Sequence, residues 1–150
     1  MKQTISVLVA GVGVFLAAAT LTAQTTLSAD VMKDWKAQRD TMMRLADAMP
    51  EDKFGFKATP PERSWGEQIL HVAGGNVFLM RFLNGKTPAP AVNTSDMVTF
   101  GLKASTKAEY LKALNDSFDY GETLLKEFPD AALTQTVTGL RGWDRAPACA

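Results

Sequence analysis

The chain has 150 residues, 16 Lys and Arg against 16 Asp and Glu, 46% hydrophobic residues, one histidine and one cysteine. That is the composition of one globular domain, and with no net charge and no basic run it lacks the electrostatic footprint that nucleic acid binding requires. One cysteine excludes an internal disulfide, and one cysteine with one histidine excludes zinc sites of four cysteines or of two cysteines and two histidines.

After Lys2 no charged side chain occurs before Asp30, and residues 5–21 are dominated by Val, Ala, Leu and Phe. This is the n-region and h-region pattern of a secretory signal peptide. Cleavage is expected after Ala23, which makes residues 1–23 a signal peptide and the protein an exported one, periplasmic or secreted, with no stable membrane association once cut. An uncleaved anchor is the alternative, because roughly 20 apolar residues span a bilayer. No cysteine follows the apolar run, so no lipid anchor is expected there. Removing residues 1–23 takes away only Lys2, and what remains is long enough to bury a core without staples.

From Asp30 onward Val31, Trp35, Met42, Leu45 and Met49 recur at helical spacing with charged residues between them. The pattern predicts an amphipathic helix over about 30–49, capped by Ser28 or Asp30 and ended by Pro50. Residues 51–63 contain Thr59-Pro60-Pro61 and read as an extended connection, since the residue before proline is pushed out of the helical region. Ser64-Trp65-Gly66-Glu67 is a capping box that opens a second helix. That helix is expected to reach about Asn84, with Gly85 as its left-handed stop. It is apolar nearly all round, from Ile69 and Leu70 to Phe82 and Leu83, which predicts a central place in a bundle. His71 shares a stripe with Gly75, Phe78 and Phe82 and is the only titratable side chain on it.

Residues 86–104 hold Pro88, Pro90 and Gly101 without a clean period and predict a long loop with one short helical turn near Met97. Thr106 and Glu109 form a second capping box. The third helix follows, with Leu111, Leu114, Phe118, Leu125 and Phe128 on one face and Pro129 at its end. Beyond Leu133 the period is lost, and no fourth helix can be drawn. The domain is expected to span residues 24–138, and residues 139–150 read as an irregular tail of the kind a frameshift or truncation produces. Three amphipathic helices would leave an open groove where a fourth should pack.

Several motifs carry no chemistry. Gly85-Lys86-Thr87 ends like a phosphate-binding loop, but Met80 stands where the first glycine is needed. Ser64 and His71 are seven helical residues apart, about 10 Å, too far for a nucleophile and its base. Asn93-Thr94-Ser95 and Asn115-Asp116-Ser117 match the glycosylation acceptor only through a short pattern. Cys149, penultimate in the tail, reads as incidental. His71 carries two readings, a core histidine bonded to a neighbour or a metal ligand. One imidazole cannot hold a catalytic metal, for which about three protein ligands are the norm. Asp116 and Asp119 on the third helix are the carboxylates that could join it.

Trp35, the connection Phe54-Gly55-Phe56-Lys57-Ala58-Thr59-Pro60-Pro61-Glu62-Arg63-Ser64-Trp65, the segment Ile69-Leu70-His71-Val72-Ala73-Gly74-Gly75-Asn76 and Ser105-Thr106-Lys107-Ala108-Glu109-Tyr110-Leu111 together resemble the DinB-like superfamily. The resemblance covers about 30–132. It implies an all-α four-helix bundle of up-down-down-up type, often with a divalent metal, zinc or nickel, held by three histidines. His71 would be the first, and a His-x-x-x-His pair on the fourth helix would supply the others. Characterised members include thiol-dependent S-transferases and a thiol-dependent isomerase, while most have no known activity. The chain departs from the pattern at that fourth helix and its histidine pair. The expected fold is therefore a C-terminally incomplete bundle. The expected function is an exported metal-dependent enzyme acting on a small molecule, impaired because two of three metal histidines are missing. A non-catalytic binding or self-associating module, such as a homodimer joined through the open groove, is the alternative.

Overall fold

The computed structural model describes residues 26–134, and among these there are helices, turns and loops but no strand. The expected signal peptide with its cleavage site, the tail 139–150 and Cys149 lie outside the described residues. No helix of the described residues is long and apolar enough to cross a membrane.

The first helix, α1, spans Leu27–Ala48. It begins three residues earlier than its apolar period, because Thr26 rather than Ser28 or Asp30 is its cap, with the Thr26 hydroxyl accepting from the Ala29 amide. Asp130 supplies a second cap from the far end of the chain, accepting from the Leu27 and Ser28 amides at 3.2 and 2.9 Å. A carboxylate at a helix N-terminus satisfies orphan donors and meets the positive end of the helix dipole. The bonds from Ser28, side chain first, hold the Asp130 carboxyl below the usual aspartate range.

The connection after Pro50 is not wholly extended, since Glu51–Lys53 forms a 3-10 turn. Phe54 then stacks on Tyr110 with ring centroids 4.7 Å apart, which ties the connection to the third helix. Helix α2 runs over Trp65–Met80 behind the expected Ser64 and Glu67 capping box. It tightens into a 3-10 turn at Arg81–Leu83, and Asn84, not Gly85, takes the left-handed stop at φ 55°. Asn tolerates that region better than other side-chain-bearing residues, so the stop falls one residue earlier than expected. Gly85 instead gives close approach, since a Cβ there would lie 2.5 Å from Leu124 Cδ1.

Helix α3 spans Lys107–Leu125 behind the Thr106 and Glu109 capping box. Pro129 does not simply end it: a one-turn helix, α4, follows at Asp130–Leu133. It is the only fourth helix among the described residues.

Contacts fix the directions. Lys107 at the start of α3 pairs with Asp47 at the end of α1, 3.0 Å apart, while Gly121 near its end meets Trp35 near the start of α1. These two helices are antiparallel. Along α2 the order is the reverse: Gly66 lies against Tyr110, Asn76 bonds Ser117 and Gly85 lies against Leu124. So α2 and α3 are parallel, which requires the chain to return the length of a helix between them. Residues 84–106 are that return crossing.

The central helix is therefore α3 and not, as the all-round apolarity suggested, α2. Leu114 and Phe118 of α3 close a cluster with Ala46 of α1 and Ile69 of α2, and Tyr120 and Leu124 close a second with Val77. α2 buries one face, including Ile69, Ala73 and Val77, while Leu79 on its other side is 57% exposed. Val72 and Met80 are half-buried and pack against the rims of the two clusters.

Candidate functional site at His71

His71 sits at the edge of the buried face of α2 and is half-buried. Its Nδ1 is buried without a hydrogen-bond partner among the described residues, one of two such side-chain atoms with Trp65 Nε1. Leaving a buried acceptor or donor unpaired costs about 1–3 kcal/mol. Through Nδ1, at least, the ring makes no hydrogen bond of the kind expected of a core histidine.

What packs on the ring is Phe100, from the crossing between α2 and α3. The two centroids are 5.4 Å apart at 35°, within the range of favourable aromatic pairs. Phe100 in turn lies 5.6 Å from Phe78, which meets Phe82 edge-on at 5.4 Å. The expected stripe of His71, Phe78 and Phe82 exists, but Phe100 completes it from another segment. Arg81 closes the far end, its guanidinium carbon 4.7 Å from the Phe78 centroid.

Phe100 is 3% exposed and holds φ 57°. For a bulky residue the left-handed region costs on the order of 1–3 kcal/mol, so surrounding structure must impose it. Asp96 imposes it. Its carboxylate accepts from the amides of Val98 and Gly101, both at 2.9 Å, and from the Thr99 hydroxyl and amide at 2.9 and 3.3 Å. The Asp96 carbonyl accepts from the Phe100 amide at 3.0 Å. Arg63 holds the same loop from outside, donating to the Met97 and Val98 carbonyls. The turn expected near Met97 is there: the bond from the Phe100 amide to the Asp96 carbonyl closes one helical turn, and the Asp96 carboxylate caps it. On α2 the loop needs Gly74, because a Cβ there would lie 2.4 Å from Phe100 Cβ.

Those amides, Val98 first, hold the Asp96 carboxyl down at about 2, against 3.8 ordinarily. Its bonds therefore support the fold fully above about pH 4 and lose their contribution as the pH falls through about 2. In thermal melts Asp96→Asn should fall below the parent by a constant gap from pH 5 to 7, and the gap should close towards pH 2. A gap that did not change with pH would refute the carboxylate's role.

The two carboxylates named as possible co-ligands turn elsewhere. Asp116 takes the Lys112 ammonium at 2.5 Å, and Asp119 takes Arg39 at 2.8 Å and the Asn115 amide at 2.8 Å, facing α1. No hydrogen bond or ion pair of the described residues joins either to His71. No group of three His, Cys, Asp or Glu that could hold a metal ion occurs among the described residues. They supply one orphaned imidazole, and by themselves they do not fit a three-ligand ion. A cavity of about 190 Å³ between α2 and α3 is lined by Ala73, Val77, Val92, Leu102, Ser117 and Asp116, and His71 is not part of it.

The sequence located His71 but missed Phe100 and Asp96. The one available signal was the spacing of Asp96, Thr99 and Gly101, which suits a carboxylate-centred turn; nothing local marks a left-handed Phe.

No curated protein and no solved structure matches the chain. The sequence profile of the DinB superfamily matches residues 34–149, from the first turns of α1 through the connection, the His71 segment and α3. On that match, over most of its length, the chain belongs to the DinB superfamily.

Proposed function

We propose that this protein is an exported DinB-like domain made for divalent-metal chemistry on a small molecule, thiol-dependent transfer by family resemblance, with His71 as the metal-facing residue and with catalysis impaired because one histidine stands where three are needed. The observation that carries the reading is the His71 imidazole, the only one in the chain, with Nδ1 buried and unpaired. A ring held this way, on a helix packed against α3, presents one ligand from a rigid element. A full set of three ligands does not come from residues 26–134 alone. A metal bound there would act as a Lewis acid on a substrate atom, and His71 would hold it. Export rests on Lys2 and the uncharged apolar run of residues 5–21.

The test is titration of the chain and of His71→Ala with zinc or nickel, followed by calorimetry and by metal analysis after gel filtration. Weak binding is expected, with no ion retained through the column and a response that disappears in His71→Ala. One ion per chain surviving gel filtration and lost in His71→Ala would overturn the impairment. No difference between the two proteins at any metal concentration would remove His71 from the metal reading.

A second reading has its own observation. Leu79 on α2 is 57% exposed, and large apolar side chains left open to water on a helix are where a partner would dock. A non-catalytic, self-associating domain would cover Leu79, and sedimentation of the parent against Leu79→Glu separates this reading from the first.

A further inference from the structure

The geometry points to Phe100 as a positioning residue for His71: the Asp96-centred loop drives the Phe100 ring against the imidazole and so fixes which nitrogen faces inward. The inference deepens the His71 reading but does not depend on metal. Three features that each oppose stability meet at one place. Phe100 stands in the left-handed region. Gly74 on the facing helix leaves room for its Cβ where any other residue would collide. The imidazole it touches keeps a buried nitrogen without a partner. Backbone outliers that the surroundings over-determine gather at functional sites.

The loop is over-determined in that sense. Asp96 binds Val98, Thr99 and Gly101, on both sides of Phe100, the Phe100 carbonyl accepts from the Asn93 amide at 2.8 Å, and Arg63 ties Met97 and Val98 to the connection before α2. Without Phe100 the His71 side chain would face an open edge of α2 and could populate other staggered rotamers. With Phe100 in place Nδ1 is turned inward, and Nε2 is the nitrogen left for a ligand. Phe78 packs on the other side of the Phe100 ring and Phe82 extends the same aromatic row through Phe78.

Because the chain has a single histidine, imidazole-selective carbethoxylation reads His71 alone. The ring nitrogen attacks a carbonyl carbon of diethyl pyrocarbonate, ethyl carbonate leaves, and the ring proton passes to water. At fixed pH, well below melting, Phe100→Ala should react about twofold faster than the parent, because Nδ1 becomes reachable beside Nε2 once the side chain can leave its single rotamer. Phe100→Tyr, which keeps the ring, should restore the parent rate, and Asp96→Asn should move the rate in the same direction as Phe100→Ala. In the unsubstituted chain His71 should give one set of ring proton signals with a nuclear Overhauser contact to the Phe100 ring. That contact decides the matter if the Ala variant fails to fold. A folded Phe100→Ala reacting at the parent rate, or a parent without the ring contact, would overturn the positioning role. If the chain fails to respond to metal while these rates shift as stated, only the metal reading falls.

Discussion

Replacing Leu114 by Ala is expected to lower the stability of the fold by about 3 kcal/mol, because deleting a fully buried Leu loses both its transfer free energy and the contacts lining the cavity left behind. Leu114 has no exposed surface and sits in the middle of α3, in one cluster with Ala46 of α1 and Ile69 of α2. It is thus a point where all three long helices meet. The corresponding fall in melting temperature is roughly 10–20 °C for a domain of this size. Leu79→Ala is the matched control. Leu79 is as apolar, but 57% exposed on α2, and its loss should stay within about 0.5 kcal/mol. If the two substitutions were equally damaging, α2 and not α3 would be the central helix. Chemical denaturation of both variants, with equal slopes, measures the difference.

The second large effect is expected at Gly121. In the interior of a helix Gly→Ala normally stabilises by up to about 1 kcal/mol. Here the sign should reverse, to a loss of about 2 kcal/mol, because overpacking a close helix contact costs about 1–3 kcal/mol. A Cβ at Gly121 would lie 2.2 Å from Cζ2 of Trp35. The indole cannot retreat freely. Its Nε1 donates to the Phe118 carbonyl at 2.9 Å, and its ring packs on Phe118 with centroids 5.0 Å apart. In a Trp35→Phe background, which removes the colliding ring carbon, Gly121→Ala should become neutral or stabilising. That reversal is the signature of two side chains in direct contact. A Gly121→Ala protein that melts at or above the parent would show that α1 and α3 do not approach this closely.

Both predictions lie on the α1 and α3 seam, and its polar rim adds little to them. Arg39 bonds Asp119 and Asn115 there, at 2.8 and 2.6 Å, and Lys36 faces Glu122 at 3.5 Å. Exposed ion pairs of this kind are worth about 0–1 kcal/mol each. The seam is held by Trp35, Phe118 and Gly121, and its charges set register more than strength.

How legible the candidate site was differs residue by residue. His71 could be found because it is the only histidine and interrupts an apolar stripe, both facts of composition and period. Its aromatic neighbours Phe78 and Phe82 follow from the same helical spacing. Phe100 could not be found that way. It reaches His71 from the 84–106 crossing, and its conformation is set by a carboxylate four residues earlier acting through hydrogen bonds to Val98, Thr99 and Gly101. Asp116 and Asp119 show the converse. Composition offers them as ligands; Asp116 pairs with Lys112 one turn back on the same helix, whereas only the packing of α3 on α1 turns Asp119 to Arg39.

What the amino-acid sequence determined by itself is local: three amphipathic periods, two capping boxes at Ser64 and Thr106, and the turns at Pro50 and Pro129. Each is set within about one or two turns of chain, where spacing and side-chain to backbone bonds act directly. The tertiary structure decided what depends on residues far apart in sequence. It placed α3 in the centre, although α2 is the more apolar helix, because Leu114 and Phe118 reach α1 on one side while Ser117, Tyr120 and Leu124 reach α2 on the other. It capped α1 with Asp130, about a hundred residues away. It set Phe100 on His71 by burying a strained residue where Gly74 leaves room. Burial and close approach are properties of the assembled helices, and no window of the chain contains them.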